Sequence, residues 1–290
     1  MIFRFGAIIL LYSCLALNTA GQATVDRIFK PQEDSLRIYM KRIERAKNDS
    51  IKLLENSRVL RLLTEMLEDE RSFNYAFDTL PYLGIIKSPD NLVKIYNWNL
   101  FYKDKSYEYF GFIQYYQKSK KKHIVYPLID KSSEITDPEK AILSNANWYG
   151  ALYYKIITNT HKGKTIYTLF GWDGNNEFTN KKIIEILTFA NNGKPRFGAS
   201  VFVIDNDKKK KRILFEFSSR VSMKLHYDKK LDMIVFDHLS PSSSRYIGQY
   251  LYYGPDFSYD AFIFTKGRWI YKPIVDVKNP KPINQKKNIK

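Results

Sequence analysis

From residue 33 to residue 80 the apolar positions follow a helical step. Leu36, Met40, Ile43, Ile51, Leu54, Leu63 and Leu67 recur at intervals of three and four, or their multiples, with charged residues between them. Neither Gly nor Pro interrupts the stretch; Pro31 stands just before it and Pro81 just after. The pattern predicts amphipathic helix over about residues 34–70. It is either one rod or two helices hinged at Asn48-Asp49-Ser50, with Asp49 or Ser50 capping the second. The repeat is too short and irregular for a coiled coil, so its apolar face is expected to pack on the rest of the chain.

Past Pro81 the period shortens to two. Runs of β-branched and aromatic residues predict strands at 92–101, 107–116, 124–129, 150–158, 164–171, 182–189, 200–204, 212–217, 224–227, 233–237, 250–253, 261–264 and 268–271. Turn chemistry separates them, as in Asp173-Gly174-Asn175-Asn176, Asn191-Asn192-Gly193 and Lys266-Gly267. Asp137-Pro138 opens one short helical turn. Many short strands with close turns argue for antiparallel sheet over βαβ units. The expected fold class is α+β, predominantly antiparallel β: a helical N-terminal segment (24–80), a large multi-stranded β domain (81–275) and a disordered basic tail (276–290). A membrane β-barrel fits poorly, because these strands are short and the front of the chain is helical.

The first residues read as an address. Arg4 is the only charge before Asp26, an apolar run follows it, and small residues close the run. That is the tripartite pattern of a signal peptide (1–20), cleaved after Ala20 or Ala23. The apolar core falls short of the roughly 20 residues of a membrane span, so no transmembrane span is expected in the mature chain. Leu11-Tyr12-Ser13-Cys14 also resembles a bacterial lipobox, which would anchor the protein through a lipid on Cys14. Cys14 is the one cysteine, so removing the signal excludes disulfides, thiol nucleophiles and cysteine metal sites together.

The formal charge is +17. Residues 21–80 carry equal numbers of acids and bases, so the excess lies after residue 80. Its densest runs are Lys118–Lys122 and Lys208–Arg212, both between predicted strands. Lys120, Lys121, Lys122, Lys209 and Lys210 are therefore candidates for holding an anionic envelope polymer or lipid headgroups. The competing reading is a solvated lysine surface that protects sheet edges. Nucleic acid is not expected as a partner of an exported chain.

Other chemistry is sparse. Gly163-Lys164-Thr165 ends like a phosphate loop, but Thr158 stands where the first glycine belongs, so it reads as a turn. His123, His161, His226 and His238 show no metal-ligand spacing, and His123 and His161 are expected to be exposed in basic loops. Asp173, Asn175 and Glu177 alternate like calcium ligands, but Ile184 falls at the twelfth position; a β-turn explains them more simply. No metal and no cofactor are expected. Trp98, Trp148, Trp172 and Trp269 could stack on glycans if a sheet face exposes them; Trp172 and Asp173 are the binding candidates among these residues. A hydrolase would draw on Asp173, Glu177, Asp237, Asp256 and Asp260.

Two segments, Phe170 to Asn176 continuing to Leu187, and Tyr253 to Phe262 closing on Lys266-Gly267-Arg268-Trp269, resemble a family of uncharacterised exported proteins of Bacteroidota. The resemblance covers roughly residues 145–275. It implies an exported protein of a Gram-negative envelope and carries no activity with it. In the second segment Gly254-Pro255-Asp256 is expected to form the bend, with Tyr259 and Phe262 returning to the core. The expectation is an envelope protein that binds or supports, with a carboxylate hydrolase of envelope polysaccharide as the alternative.

N-terminal sequencing of the mature protein is expected to begin at Gly21 or Thr24, with a lipid-modified Cys14 as the other route; a cytoplasmic chain beginning at Met1 would contradict export.

Overall fold

The computed structural model describes residues 5–204 and 210–276, with side chains from Val25 onward. The chain opens with two helices, α1 (Phe5–Arg45) and α2 (Asp49–Glu68). The turn between them falls at the predicted hinge. Asn48 takes the cap position in extended conformation, ahead of the expected Asp49 or Ser50, and its side chain makes no cap bond. α1 starts before the predicted helix and carries Pro31 inside it. Packing explains this. Phe29 continues the seam of Leu36 and Met40, is buried with them, and meets the Tyr75 ring at 5.2 Å. That burial offsets the backbone hydrogen bond a proline removes.

On α2, Val59, Leu63, Met66 and Leu67 face inward, whereas Ile51 and Leu54 are exposed. Polar residues take the inward positions of that turn. Asn56 Oδ1 accepts the Trp98 indole N–H at 2.7 Å, and buried Glu55 accepts Arg58 at 2.8 Å.

The strands form three sheets. The first is four-stranded, in the order β1 (Gly84–Lys87), β2 (Val93–Phe101), β3 (Tyr107–Gln117), β4 (Lys122–Ile129). The second runs β5 (Leu143–Ser144), β9 (Pro195–Phe197), β8 (Thr179–Phe189), β7 (Lys164–Asp173), β6 (Leu152–His161), and β11 (Ile213–Ser218) shares an edge of β8 with β9. The third runs β10 (Phe202–Val203), β15 (Arg268–Lys272), β14 (Tyr253–Thr265), β13 (Met233–Pro241), β12 (Leu225–Asp228). These ladders are antiparallel except β10 with β15. The predicted α+β class with predominantly antiparallel sheet is what the chain forms.

Two expectations need correction. Residues 250–252 form a short 3₁₀ turn, and the strand begins at Tyr253. Gly254 and Pro255 lie inside β14, paired with Ser240 and Leu239; the irregularity follows at residues 256–258, opposite His238. The Asp256 carboxylate makes that bulge by accepting the Ser258 N–H (3.1 Å) and hydroxyl (2.7 Å).

The sheets stack because alternate residues of the same strands are apolar on both faces. β2 sends Tyr96 and Trp98 to the helices, where they join Leu36, Met40, Leu63 and Phe112. It sends Val93 and Ile95 the other way, onto Tyr153, Leu169 and Leu187 of the second sheet. β7 in turn sends Phe170 and Ile166 to the third sheet, against Phe236, Phe262 and Trp269. Helices and sheets thus make four layers with three apolar cores between them. No helix among the described residues is long and apolar enough to cross a membrane.

Charged groups interrupt these cores, each with partners. Glu33 lies in the apolar seam of α1 and accepts the Thr79 N–H and hydroxyl, both at 2.8 Å, the Tyr75 hydroxyl and Lys30. Burial alone would raise its pKa; these hydrogen bonds outweigh it and bring the carboxyl down to about 2. Glu185 and Arg212, both buried, pair at 2.6 Å. Lys94, on the helix face of β2, donates to the carbonyls of Tyr75 (2.6 Å) and Phe73 (3.3 Å).

Burial, with Lys87 nearby, lowers Lys94 to about 7. The folded state therefore sheds this proton near pH 7, while the unfolded chain keeps it until about 10.5. Stability should rise with pH across that window, the penalty being complete below it. Urea denaturation from pH 6 to pH 10 is expected to show that rise in the native chain and a flatter profile in Lys94→Met; equal slopes would contradict the assignment.

Candidate functional site

The sequence-predicted binding residues fall in different layers. Lys120, Lys121 and Lys122 stand exposed at the β3–β4 turn of the first sheet. Lys209 lies outside the described residues. Lys210 pairs with Glu139 at 2.6 Å. Trp172 is half-buried on β7, and its neighbour Asp173 is buried.

Asp173 closes the β7–β8 connection. Its carboxylate accepts the Asn175 N–H (2.7 Å), the Tyr109 hydroxyl (2.8 Å) and the Tyr149 hydroxyl (3.2 Å). The Tyr109 oxygen in turn accepts the Gly174 N–H at 2.8 Å. Burial pushes the Asp173 carboxyl up, against these hydrogen bonds and the nearby Lys181 charge. Gly174 is required here because a Cβ would meet the Tyr107 ring at 2.4 Å. The cluster fastens the first sheet to the second.

The other carboxylates proposed for hydrolysis are also engaged, or stand apart. Asp237 accepts the Lys224 N–H at 2.8 Å. Asp260 holds His238 Nδ1 (2.7 Å), the Tyr271 hydroxyl (2.7 Å) and the Ile274 N–H (3.0 Å). Asp256 shapes the β14 bulge and reaches His238 Nε2 at 3.9 Å. Glu177 is exposed in the loop before β8. The structure brings two of the five, Asp256 and Asp260, to opposite sides of one imidazole.

The tryptophans do not make a sheet-face platform. Trp98, Trp148 and Trp269 are buried with their indole N–H groups bonded to Asn56, Tyr153 and Thr168. His123 and His161 are not simply exposed. The His123 ring packs against Phe73 and Tyr116 at 4.2 and 5.0 Å, and burial lowers its pKa. His161 Nδ1 meets the Gly267 carbonyl at 2.6 Å, joining two hairpin turns. Each turn is a Lys-Gly pair at positive φ, Lys162-Gly163 and Lys266-Gly267, so Gly163-Lys164-Thr165 belongs to a hairpin as read.

One concave surface lies between the helices and the facing edges of the first two sheets; another, of about 670 Å³, lies at the β6–β7 and β8–β9 turns, beside His161 and Asn192. A cavity of about 420 Å³ is walled by Met40 and Ile43 of α1 and by Trp98 and Phe101 of β2. A second, of about 550 Å³, is walled by Ile86, Tyr153, Tyr154 and Trp172. Tyr82 and Leu152 line both, so the two make one cleft. Tyr82 is largely exposed and sits at φ 69°, a conformation a tyrosine seldom adopts. Phe101, Tyr107 and Trp172 continue the aromatic wall, with ring centroids 4.8 and 5.6 Å apart.

Asn97 builds the floor. Its side chain donates to the carbonyls of Gly84 (2.9 Å) on β1 and Tyr153 (3.3 Å) on β6, and accepts the Tyr153 N–H at 2.5 Å. One amide thereby joins two sheets. With both backbone groups of Tyr153 held by Asn97, the β6–β7 ladder slips at the next residue, and Tyr154 falls at the irregularity. Tyr154 stands part-exposed at the cleft edge, its hydroxyl bonded to the Leu225 carbonyl at 3.1 Å and Lys182 Nζ 4.5 Å from its ring centre. Sequence reasoning found Trp172 and missed Asn97, Tyr82 and Tyr154. The signal for Asn97 was an asparagine between Tyr96 and Trp98 on the strand face that carries Val93 and Ile95, which should bury an amide that needs partners.

Among the described residues, no group of three or more His, Cys, Asp or Glu is placed to hold a metal ion. Comparison of the chain with family models, curated proteins and solved structures gives no match.

Replacing Asp173 separates a fastening from a reactive group. Asp173→Asn keeps an acceptor for Tyr109 and Asn175 and is expected to stay within about 1 kcal/mol of the native chain. Asp173→Ala strands those donors and is expected to cost about 2–4 kcal/mol. Chemical denaturation of both variants checks this, and equal losses would contradict it.

Proposed function

We propose that this is an exported protein of a Gram-negative cell envelope that binds rather than catalyses, and that its binding element is the cleft over Asn97. The export reading rests on the N-terminal pattern and on the family resemblance of residues 145–275. The binding reading rests on one observation above others: Tyr82, Tyr154 and Trp172 offer part-exposed aromatic surface to a cleft whose floor is a fully bonded amide. Such walls suit a ligand with ring faces and few charges, as in an envelope glycan. The five carboxylates named for a hydrolase line neither cavity; the acid that lines the first is Glu44 of α1.

Titration of the intrinsic tryptophan fluorescence with soluble, uncross-linked peptidoglycan strands is the test. The native chain should give a saturable change. Trp172→Ala should weaken binding by about tenfold, the loss of one stacking contact. Unchanged affinity in Trp172→Ala, or new reducing ends released from the strands, would overturn the proposal.

A further inference from the structure

At one end of the second sheet two hairpins part. The β7–β8 ladder stops at Tyr167 and Leu187, yet β7 reaches back to Lys164 and β8 runs on to Phe189. Beyond that point each strand keeps only its other neighbour. Lys164 and Thr165 pair with His161 and Thr160 of β6, and Thr188 and Phe189 pair with Arg196 and Pro195 of β9. The space left between the two hairpins is the cavity of about 670 Å³.

The two hairpins are fixed to different neighbours, which keeps the gap open. Phe189 stacks its ring on Tyr115 of the first sheet, with centroids 3.6 Å apart, and anchors the end of β8 there. His161 Nδ1 donates to the Gly267 carbonyl at 2.6 Å and holds the β6–β7 tip against the β14–β15 turn of the third sheet. Because a carbonyl only accepts, Nδ1 carries the proton; Nε2 has no partner among the described residues. On the opposite wall Asn192 Oδ1 accepts the Lys194 N–H at 3.1 Å, which leaves the Asn192 amide N–H groups to donate.

The walls carry one sign of charge. Among the described residues, Lys162, Lys164 and Arg196 line the cavity with His161, no acid lines it, and none of these three cations has an ion pair. The acids of the same strands are engaged elsewhere: Asp173 closes the far end of β7, and Glu185 pairs with Arg212. Asp90, which reaches Tyr167 from the first sheet, accepts that hydroxyl at 2.8 Å and the Leu92 N–H at 3.1 Å. Several cations around one cavity match a phosphoryl dianion, whose terminal oxygens accept from more than one donor at once. The volume exceeds what a free phosphate fills and is that of a small-molecule site, with Ile166, Phe189 and Ala199 as an apolar wall.

We propose that the cavity between the β6–β7 and β8–β9 turns binds a small molecule that carries a phosphoryl group on a sugar-sized body. Lys162, Lys164 and Arg196 meet the phosphoryl oxygens, and Asn192 and Thr165 donate beside them. The site shares no lining residue with the cleft over Asn97 and does not depend on it.

Isothermal titration calorimetry of the full chain with glucose 6-phosphate, inorganic phosphate and glucose tests it. Glucose 6-phosphate should bind saturably, inorganic phosphate more weakly in competition with it, and glucose not at all; raised salt should weaken the first two. The double variant Lys164→Ser, Arg196→Ser should bind glucose 6-phosphate about tenfold more weakly. Its thermal unfolding should be unchanged, because both side chains are exposed. Lys120→Ser with Lys121→Ser removes the same charge from the β3–β4 turn and should leave the affinity as it is, as should Trp172→Ala. No binding of glucose 6-phosphate, equal binding of glucose, or an unaffected cavity variant would overturn the proposal. So would an equal loss in the β3–β4 variant, which would show attraction by net charge alone.

Discussion

The arrangement of the first two sheets, and the cleft between them, turns on the side-chain amide of Asn97. A primary amide has few donors and acceptors, and here they reach two strands in two layers. The contact is fully buried, where an unmet N–H or carbonyl is expensive, so the amide must stay engaged for the layers to stay together. Glycine makes the approach possible: a Cβ on Gly84 would meet the Asn97 amide nitrogen at 2.9 Å. The bulge at Tyr154 directly follows the residue that Asn97 holds, on the edge strand β6.

With Cys14 the one cysteine of the chain, no disulfide joins the layers, which rely on apolar burial plus a few polar ties placed within it. Glu33 ties α1 to the segment around Thr79, Lys94 ties β2 to the carbonyls of the same region, and Asp173 ties β3 to the β7–β8 turn. The Glu185–Arg212 pair lies within the second sheet, where Arg212 also donates to the carbonyls of Pro138 and Ala141. These ties gain little net energy over apolar residues of similar volume, but breaking one leaves a desolvated charge. They specify which face meets which, a role that sequence alternation alone leaves open.

Most strands were legible because period-two alternation and turn residues are local signals; the short β1, β5 and β9 were not among those predicted. The antiparallel class followed from their spacing, and the hinge between α1 and α2 from Asn48-Asp49-Ser50. The helix running through Pro31 was not legible, since Phe29 is held by Tyr75, far along the chain. Ile51 and Leu54 fit the helical period yet face solvent, because Glu55 and Asn56 found inward partners. For the site, Trp172 could be named as an aromatic candidate, but three other tryptophans looked alike in sequence and proved to be core. Asn97 and Tyr82 carry no motif. The first matters through partners 13 and 56 residues away, and the second through a backbone conformation that sequence pattern does not encode.

The amide of Tyr153 reports on this account most directly. Its N–H has the Asn97 carbonyl oxygen as its partner at 2.5 Å, next to an irregularity in the strand ladder. Residue-resolved hydrogen exchange of the native chain should place Tyr153 among the slowest amides, beside Leu169 and Ile184 in the centre of the second sheet. A Tyr153 amide that exchanges as fast as those of the exposed turns would mean that Asn97 does not join the two sheets, and the cleft built on that contact would fall with it.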